Sequence, residues 1–469
     1  MAPYLLIDFG TTSTKSALVD LDTGIFSSLQ RHPAIPNCAA PSGLYEIPLE
    51  AIHQRFAGIC QGYWDQQGGR LGGILACSEM HGFALLDAAG QPLGNYVSWK
   101  DERSLQKLDG TDTFSLVSKQ LAPRFRAITG MRPRPGFPLM NLAHLARSTP
   151  LPSGCQVVSL PCWLARVSGD GRAVAHPTML AGMGFYDVGR RALSEELIDL
   201  VRGLGAPSCR LSEPAPEGSV AGYWHAGVTK VPIYVGVGDH QCAVLGAGNT
   251  PGQSVSINLG TGSQMAVIDR AVEQPEIETR PYYGQSRLST ITHIPAGRAL
   301  AEFVGFLEEV ATTGGDGRPD FWAQMASLEE EEVLHSGLRF DLSLFRSARN
   351  FREGGGIGRM EEGDLTLRHY LASLVRSFVE QYLELLPVFD PGHQMPCCVL
   401  SGGIARNVPV FGRLVEKLAG YQVLPATELD ESLLGLRTLA LIADGRTRTY
   451  QGAQQVFGRD LRVEGSGEA

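Results

Sequence analysis

The chain has 469 residues, of which 43% are hydrophobic and 19% charged, so an ordinary folded protein of at least two domains is expected. A formal net charge of −9 without a long basic run weighs against a nucleic-acid or anionic-membrane surface, which requires positive potential. The nine cysteines are scattered and lack paired C-x-x-C spacing, which weighs against a zinc site or a disulfide framework.

The ends and the hydropathy of the chain predict a cytoplasmic protein. No basic n-region precedes the first apolar run, so a signal peptide is not expected. No apolar stretch is long enough to span a bilayer. Reduced thiols are typical of the same compartment.

The first predicted element is a β-hairpin with a polar loop, formed by apolar runs at 4–7 and 16–19. Strands alternate with helices along the rest of the chain, which is typical of an α/β protein. The other predicted strands are 71–77, 156–159, 233–236, 255–259, 265–268 and 399–400. The predicted helices are 49–62, 194–203, 365–386 and 410–419.

A strand, a small polar loop containing Gly-Thr, and a second strand occur once in each half of the chain. The loop Gly10-Thr11-Thr12-Ser13 is matched by Gly260-Thr261-Gly262-Ser263. This repetition predicts a duplicated domain with a ligand between the copies, and two unrelated turns are the alternative. The Pro/Gly segment 246–252 marks the boundary. The predicted domains are therefore 1–245 and 246–469.

Residues 8–15, DFGTTSTK, have the composition of a phosphate-binding loop. Gly, Thr and Ser offer backbone N–H groups and hydroxyls to phosphate oxygens, and Lys15 adds a positive charge. Asp8 has the oxygen ligands that a hydrated Mg²⁺ requires. The sequence is not a Walker motif, and an ordinary hairpin turn is the alternative interpretation.

Six segments resemble, in the same order, the motifs of the FGGY carbohydrate kinases, within the actin, Hsp70 and hexokinase superfamily. Each is short, but together they extend over nearly the whole chain. The resemblance implies two duplicated ribonuclease H-like (actin-like ATPase) domains with a central cleft. The segments are DFGTTSTK (8–15), SEMHGFALLD (78–87), SWKDERS (98–104), VGVGDHQCAVLGAG (235–248), NLGTGSQ (258–264) and LSGGIARN (400–407).

The resemblance also implies a role for residues in each motif. Asp239 is the implied catalytic base, although an Asp at this place also fits the cap of a helix beginning at His240. Mg²⁺ is implied at Asp8 and Asp239. The implied ATP-binding residues are Gly10, Thr11, Thr12, Ser13, Lys15, Gly260, Thr261, Gly262, Gly402, Gly403 and Asn407. The implied sugar-binding residues are Met80, His81, Trp99, Asp101, Asp239, His240 and Gln241.

The implied reaction is the ATP-dependent phosphorylation of the terminal hydroxyl of a ketose. GDHQC at 238–242 and the segment 280–304 look more like sedoheptulokinases than glycerol kinases, so sedoheptulose, giving its 7-phosphate, is the first substrate expected. Met80-His81 is shared with xylulokinases, so xylulose or another pentulose or polyol is the alternative. The expected partners are a small-molecule sugar and ATP, with a homodimer as the assembly considered.

Two other classes use the same nucleotide fold. An actin- or Hsp70-like ATP switch would have no use for a polar pocket around Met80-His81 and Asp239. A catalytically silent sugar-binding regulator would have no need for an intact Asp8, Lys15 and Asp239. Four features receive no role: Glu102, the acidic run 329–332, the glycine-rich segment 349–363, and HPTMLAGMG at 176–184, where many relatives carry a Ser/Asp-rich stretch.

Overall fold

The computed structural model describes residues 2–39, 41–206, 208–312, 319–345, 354–425 and 427–458. It divides the chain into two compact units. The first unit comprises Met1–Gly246, Thr279–Arg287 and Ser432–Ala469, and the second comprises Ala247–Glu278 and Leu288–Glu431. The predicted domain boundary at 245/246 stays a proposal. The two compact units differ from it, because two segments after residue 246 belong to the first unit. Part of the unassigned segment 349–363 lies outside the described residues.

The strands of the described residues are short apart from those of the two main sheets. In chain order they are β1 Tyr4–Phe9, β2 Ser13–Val19, β3 Phe26–Pro33, β4 Glu46–Ile47, β5 Gly73–Ser78, β6 Ala84–Leu86, β7 Tyr96–Val97, β8 Lys107–Leu108, β9 Thr111–Asp112, β10 Gln156–Val158, β11 Val174–Ala175, β12 Tyr186–Asp187, β13 Ala192–Leu193, β14 Arg210–Leu211, β15 Glu213–Pro214, β16 Val220–Ala226, β17 Thr229–Tyr234, β18 Val237–Gly238, β19 Ser254–Leu259, β20 Gly262–Ile268, β21 Glu278–Pro281, β22 Arg287–Pro295, β23 Arg339–Asp341, β24 Gly356–Gly358, β25 Cys397–Ser401 and β26 Gln422–Leu424.

The helices of the described residues lie between these strands. They are α1 Leu49–Gln66, α2 Thr113–Leu121, α3 Arg124–Thr129, α4 Pro138–Ser148, α5 Leu160–Val167, α6 Pro177–Gly182, α7 Glu195–Gly203, α8 Asp239–Gly246, α9 Gly297–Thr312, α10 Phe321–Ala326, α11 Glu330–Leu334, α12 Leu367–Phe389, α13 Gly403–Asn407, α14 Val410–Ala419, α15 Glu431–Ala443 and α16 Tyr450–Phe457. Arg103–Leu105 is a short 3₁₀ helix. None of the helices that the structure describes is both long and apolar enough to cross a membrane.

The main sheet of the first unit has the strand order β16-β17-β5-β1-β2-β3, with β18 beside β5. Strands β1 and β2 pair antiparallel, which confirms the predicted N-terminal hairpin. Strand β5 lies parallel to β1 on its other side. Every residue of β1 is buried, because the strand lies in the middle of a sheet with both faces covered. Such a strand has a nearly continuous apolar sequence.

The sheet of the second unit contains the order β22-β20-β19-β25-β26. Strand β19 pairs antiparallel with β20 and parallel with β25, as β1 does with β2 and β5. Both units therefore consist of an antiparallel meander continued by parallel strands. This is the duplicated α/β arrangement that the resemblance predicts.

Each unit has its own hydrophobic core, and the predicted helices contribute to it. Helix α1 buries Ile52, Phe56 and Tyr63 on one face of the first unit. Helix α12 in the second unit buries residues at helical spacing along its whole length. Helices α7 and α14 begin and end within one residue of the predicted bounds.

The C-terminal segment of the first unit is fastened to the N-terminal strands. The hydroxyl of Tyr4 donates to Asp444 Oδ1 at 2.6 Å. Arg437 donates to the carbonyl of Gly24 at 3.4 Å, and its guanidinium lies 4.8 Å from the ring centre of Phe457. Burial lowers the pKa of Arg437 to about 10. Residues more than 400 positions apart therefore complete one core.

Candidate active site

Three carboxylates of the first unit lie at the carboxyl ends of neighbouring parallel strands. Asp8 is near the end of β1 and is in register with Cys77 on β5, whose thiol donates to Asp8 Oδ1 at 3.4 Å. Glu79 directly follows β5, and Asp239 directly follows β18, whose Gly238 is in register with Ser78. Ligands bind at this edge of open α/β sheets, because the loops that follow the strands converge there.

Asp239 begins helix α8 and is only partly buried. Its Oδ1 accepts the backbone N–H of the next residue, His240, at 2.8 Å, whereas a capping Asp accepts from the N–H two or three residues on. Its protein surroundings raise its pKa to about 7, first by desolvation and then through the negative charge of Asp8. Glu79 raises this pKa further, while the His240 N–H and Arg280 lower it. This carboxyl therefore changes charge near neutral pH in the ligand-free protein.

The predicted phosphate loop connects β1 and β2 and is held from both sides. Lys15 Nζ lies 3.4 Å from Asp8 Oδ2. The Thr11 hydroxyl donates to Glu79 Oε2 at 3.2 Å and accepts from Trp99 Nε1 at 3.0 Å. Gly10 and Thr11 are partly exposed, and Thr12 is exposed. The hydroxyl of Ser13 is buried in β2 and accepts from Arg31, so this side chain points away from solvent.

Met80 is buried between two glycines. A Cβ atom at Gly238 would lie 2.4 Å from Met80 Sδ, and one at Gly182 would lie 2.6 Å from Met80 Cβ. The absence of a Cβ therefore lets Gly182 pack on the backbone of Met80 and Gly238 on its thioether. The next residue, His81, is partly exposed, and its Nδ1 lies 2.6 Å from the carbonyl of Gly182. Since a carbonyl only accepts, Nδ1 carries the proton, and the neutral ring has its acceptor at Nε2.

Asp101 is held by bonds within the first unit. It is fully buried, and its Oδ1 accepts from the backbone and Nε of Arg103 while its Oδ2 accepts from Arg103 Nη2 and the Tyr45 N–H. Four bonds fill the acceptor capacity of a carboxylate, and they fix the turn that carries Trp99. The implied role of Asp101 as a sugar ligand stays a prediction.

His240 and Gln241 also lie inside the first unit. His240 is 6% exposed, and its Nδ1 is 3.5 Å from Arg280 Nη1. Gln241 is completely buried and donates to the carbonyl of Pro281 at 3.3 Å. Of the predicted sugar-binding residues, those that reach solvent in this structure are His81, Trp99 and Asp239.

Two residues next to the site received no role from the sequence. Glu79 is buried, and the hydroxyls of Thr11 and Ser98 bond to its carboxylate. Burial raises its pKa. The signal was present, because Glu79 lies inside the quoted motif SEMHG. Arg280 begins the segment 280–304 that resembles sedoheptulokinases, but no local pattern connects it with His240, which it contacts.

The second unit carries the other predicted nucleotide residues. Gly260, Thr261 and Gly262 form the turn between β19 and β20, and Gly297 and Arg298 at the start of α9 donate to its carbonyls at 3.1 and 2.9 Å. Asn258 Nδ2 donates to Ser401 Oγ at 3.0 Å.

The predicted adenosine loop follows β25. Gly402 has φ of 89°, and a Cβ there would lie 2.6 Å from the carbonyl oxygen of Leu259. Glu431 Oε1 accepts from the Gly402 N–H at 3.0 Å and from Arg406 at 2.9 Å. Gly403 and Asn407 are exposed at the two ends of α13. The structure thus brings these residues together with the second hairpin.

Comparison with known proteins gives a family. The profile of the FGGY family of carbohydrate kinases, N-terminal domain, matches residues 3–246. A curated xylulose kinase from Escherichia coli (strain K12) is 30% identical over 207 residues, which cover 42% of this chain and 40% of that protein. The chain spans about half the length of the curated relatives it matches, between 40% and 55%.

Solved structures share the fold over nearly the whole chain. A xylulose kinase from Rhodospirillum rubrum superposes with a TM-score of 0.79 at 19% identity, covering 96% of this chain and 92% of that one. Plasmodium falciparum glycerol kinase with ADP gives a TM-score of 0.81 at 15% identity, covering 99% and 93%. At these identities the likeness supports the predicted actin-like α/β fold.

Proposed function

Since the chain belongs to the FGGY family of carbohydrate kinases, we propose that it transfers the terminal phosphoryl group of ATP to a hydroxyl of a ketose. The observation that carries the proposal is Asp239, a partly exposed carboxylate beside Asp8 with its pKa raised to about 7. A base for an alcohol works best when its pKa lies near the operating pH.

A five-carbon ketulose is the first substrate we propose. The curated relatives are named xylulose kinases, and the Met80-His81 pair, which resembles theirs, is intact. Sedoheptulose, which the sequence motifs favoured, becomes the second candidate, because the curated relatives are named for a pentulose. The acceptor is the terminal hydroxyl in both cases.

The partly exposed residues have separable roles in this reaction. His81 accepts a hydrogen bond from a sugar hydroxyl at Nε2, because Nδ1 is committed to the Gly182 carbonyl. Trp99, held by Thr11, offers an apolar face to the carbon skeleton. Asp239 takes the proton of the attacking hydroxyl. Met80, Asp101, His240 and Gln241 support these groups from within the unit.

Asp8 and Asp239 fit a magnesium ion. No group of three or more His, Cys, Asp or Glu in the described part of the chain forms a ready metal site. Mg²⁺, however, takes only one or two carboxylates together with substrate phosphates. Desolvation is the main cause of the raised pKa of Asp239 and the charge of Asp8 the second, and a divalent cation would offset the repulsion between the two carboxylates. When bound, the ion supplies positive charge to the phosphates of the nucleotide.

The nucleotide residues are proposed separately for each unit. In the first unit, the exposed backbone of Gly10–Thr12 and the Lys15 ammonium offer donors to phosphate oxygens. In the second, the exposed turn Thr261-Gly262 does the same, and Gly402, Gly403 and Asn407 contact the adenosine. The exposure of Gly403 and Asn407 at the two ends of α13 supports this, while the close packing of Gly402 on Leu259 fixes the turn that leads to them.

The test is an ADP-release assay with xylulose, ribulose, sedoheptulose and glycerol, on the parent and on Asp239→Asn. We expect the fastest turnover with a pentulose, and about a thousandfold lower kcat in Asp239→Asn with unchanged ATP binding. Asp170→Asn is the matched control, because this exposed carboxylate of the same unit contacts only Lys230 and His225 in the described structure.

Each alternative has its own outcome. Near-normal turnover in Asp239→Asn would overturn the assignment of the base. Turnover of glycerol without any ketose would overturn the substrate class. ATP consumption that no sugar stimulates would favour an ATP switch, and sugar binding without ATP consumption would favour a silent regulator.

A further inference from the structure

A Glu–His–Thr arrangement lies behind the proposed catalytic residue. His176 and Thr178 belong to the segment 176–184, which has no role from the motifs, and their partner Glu217 is half-buried. His176 caps helix α6 and is 1% exposed, and Thr178 is fully buried. His176 Nε2 lies 3.2 Å from Glu217 Oε2, and its Nδ1 lies 2.8 Å from Thr178 Oγ1. The Thr178 hydroxyl in turn accepts the backbone N–H of Gly238 at 3.0 Å. These contacts connect Glu217 to the residue before Asp239.

The direction of each hydrogen bond follows from the donors available. The backbone N–H of Thr178 donates to His176 Nδ1 at 3.2 Å, so Nδ1 is an acceptor and the ring proton is on Nε2, facing Glu217. The Thr178 hydroxyl therefore donates to Nδ1 and keeps its oxygen lone pairs for Gly238. Glu217 is itself fixed, because its Oε1 accepts the Gly284 N–H at 2.7 Å. Although burial raises the pKa of Glu217, its bonds to His176 and Gly284 lower it overall.

The arrangement cannot carry the proton of the reaction. It ends on a backbone N–H, and a backbone amide does not exchange a proton with Asp239 on the time scale of turnover. What it controls is position. Gly238 is packed against Met80 Sδ and Gln241 Oε1 at distances that leave no room for a side chain, so its N–H bond to Thr178 determines where α8 and Asp239 begin.

We propose that His176 and Thr178 are positioning residues for phosphoryl transfer, which hold Gly238, and with it the Asp239 carboxylate, in the reactive orientation. Glu217 keeps His176 in the tautomer that this requires. The inference rests on the proposed role of Asp239. The segment 176–184 thereby acquires a role in catalysis without contacting the substrate.

The test removes only the acceptor of the Gly238 N–H. In Thr178→Val, which keeps the shape, kcat should fall about tenfold to a hundredfold, as expected for a misplaced catalytic group, while KM for ATP and for the ketose changes less than about twofold. Thr178→Ser, which keeps the hydroxyl, should restore kcat to within about threefold. His176→Asn, with an oxygen near the place of Nδ1, should be more active than His176→Phe.

A matched control is Thr113→Val, which removes another buried hydroxyl bonded to a histidine Nδ1, that of His144, in the same unit. It should keep the parent kcat. If Thr178→Val does not fold, Thr178→Cys replaces it with the same expectation, because a thiol is a weak acceptor.

The outcomes separate this inference from the proposed function. Folded Thr178→Val with the parent kcat, or a loss that Thr178→Ser does not rescue, overturns the positioning role while an inactive Asp239→Asn still supports the base. An active Asp239→Asn removes the base itself, whatever the Thr178 variants do. An equal loss in Thr113→Val would mean a general packing effect and would also overturn the inference.

Discussion

The two phosphate-loop hairpins share a backbone and differ in charge. In the first unit, Asp8 is in register with Lys15 on one side and with Cys77 on the other. In the second unit, the corresponding position is Asn258, in register with Gln264 and Ser401. The charged pair of the first hairpin is thus replaced by neutral amides, and the thiol by a hydroxyl that bonds Asn258.

The difference in charge separates two roles, phosphate binding and catalysis, that a Gly-Thr loop by itself would suggest equally for either hairpin. Backbone N–H groups of a tight glycine-bearing turn are available in either hairpin, so both can hold phosphate oxygens. Only the first has a carboxylate that raises the pKa of a neighbouring base and offers oxygen to a cation. The proposal therefore gives the base and the cation to the first unit, and an uncharged contact with the nucleotide phosphates to the second.

Asp8→Asn makes the first hairpin resemble the second and should have the largest effect. We expect kcat to fall about a hundredfold to a thousandfold, because one of the two carboxylates proposed to hold Mg²⁺ at the phosphates is lost. The variant should also show where the titration of Asp239 comes from. Without the Asp8 charge the pKa of Asp239 falls below about 7, so the residual activity should rise with pH at lower pH than in the parent.

The measurements are kcat, and kcat/KM for the sugar from pH 5 to 9, which reports the pKa of the free enzyme, with the melting temperature as a check on folding. A change of kcat below about threefold would mean that catalysis does not need the charge of Asp8. The proposed difference in role between the two hairpins would then be wrong. An unchanged pH profile with low kcat would keep Asp8 as a ligand but remove it as a cause of the raised pKa.

Asn258→Asp makes the reciprocal change in the second unit. A new carboxylate beside the turn 260–262 should repel phosphate and raise KM for ATP roughly tenfold, equivalent to about 1.4 kcal/mol, with a smaller change in kcat. Steady-state kinetics at varied ATP measure this, and Asn258→Ser is the uncharged control. If KM for ATP stays at the parent value, the second hairpin does not contact the nucleotide phosphates.

Lys15→Gln should have the smallest effect, since it introduces the amide found at Gln264. Lys15 is partly exposed and 3.4 Å from Asp8, so its contribution is screened by solvent. We expect KM for ATP to rise about threefold with kcat nearly unchanged, and Lys15→Arg to behave like the parent. A loss as large as that of Asp8→Asn would show instead that the ammonium acts on the transferred group.

The elements that the sequence predicts well are those with a local signature. The hairpin at 8–15 has polar loop residues between two apolar runs, and its strands were found where expected. The bounds of α14 are those predicted, because a single apolar stripe defines them. The motif order gave the family for the same reason, since each motif is a continuous segment.

The features that the sequence did not predict depend on contacts between distant residues or on side-chain direction. Nothing in SWKDERS reveals that Arg103, at the start of the 3₁₀ helix, folds back onto Asp101. Gln241 and His240 adjoin Asp239 in sequence, but α8 turns them inward, toward Pro281 and Arg280. The bond between Thr178 and Gly238 joins positions 60 apart, which no local pattern encodes.

The fastening of the C-terminal segment to the N-terminal strands has a consequence for synthesis on the ribosome. The first unit cannot fold completely when its longest segment, 1–246, leaves the ribosome. Tyr4 and Gly24 bond to Asp444 and Arg437, which are translated later. At about 5–20 residues per second, the remaining two hundred residues take roughly 10 to 40 seconds to translate. During that time the surface that α15 later covers is exposed to solvent. The whole sequence of the second unit is translated before the last segment of the first unit.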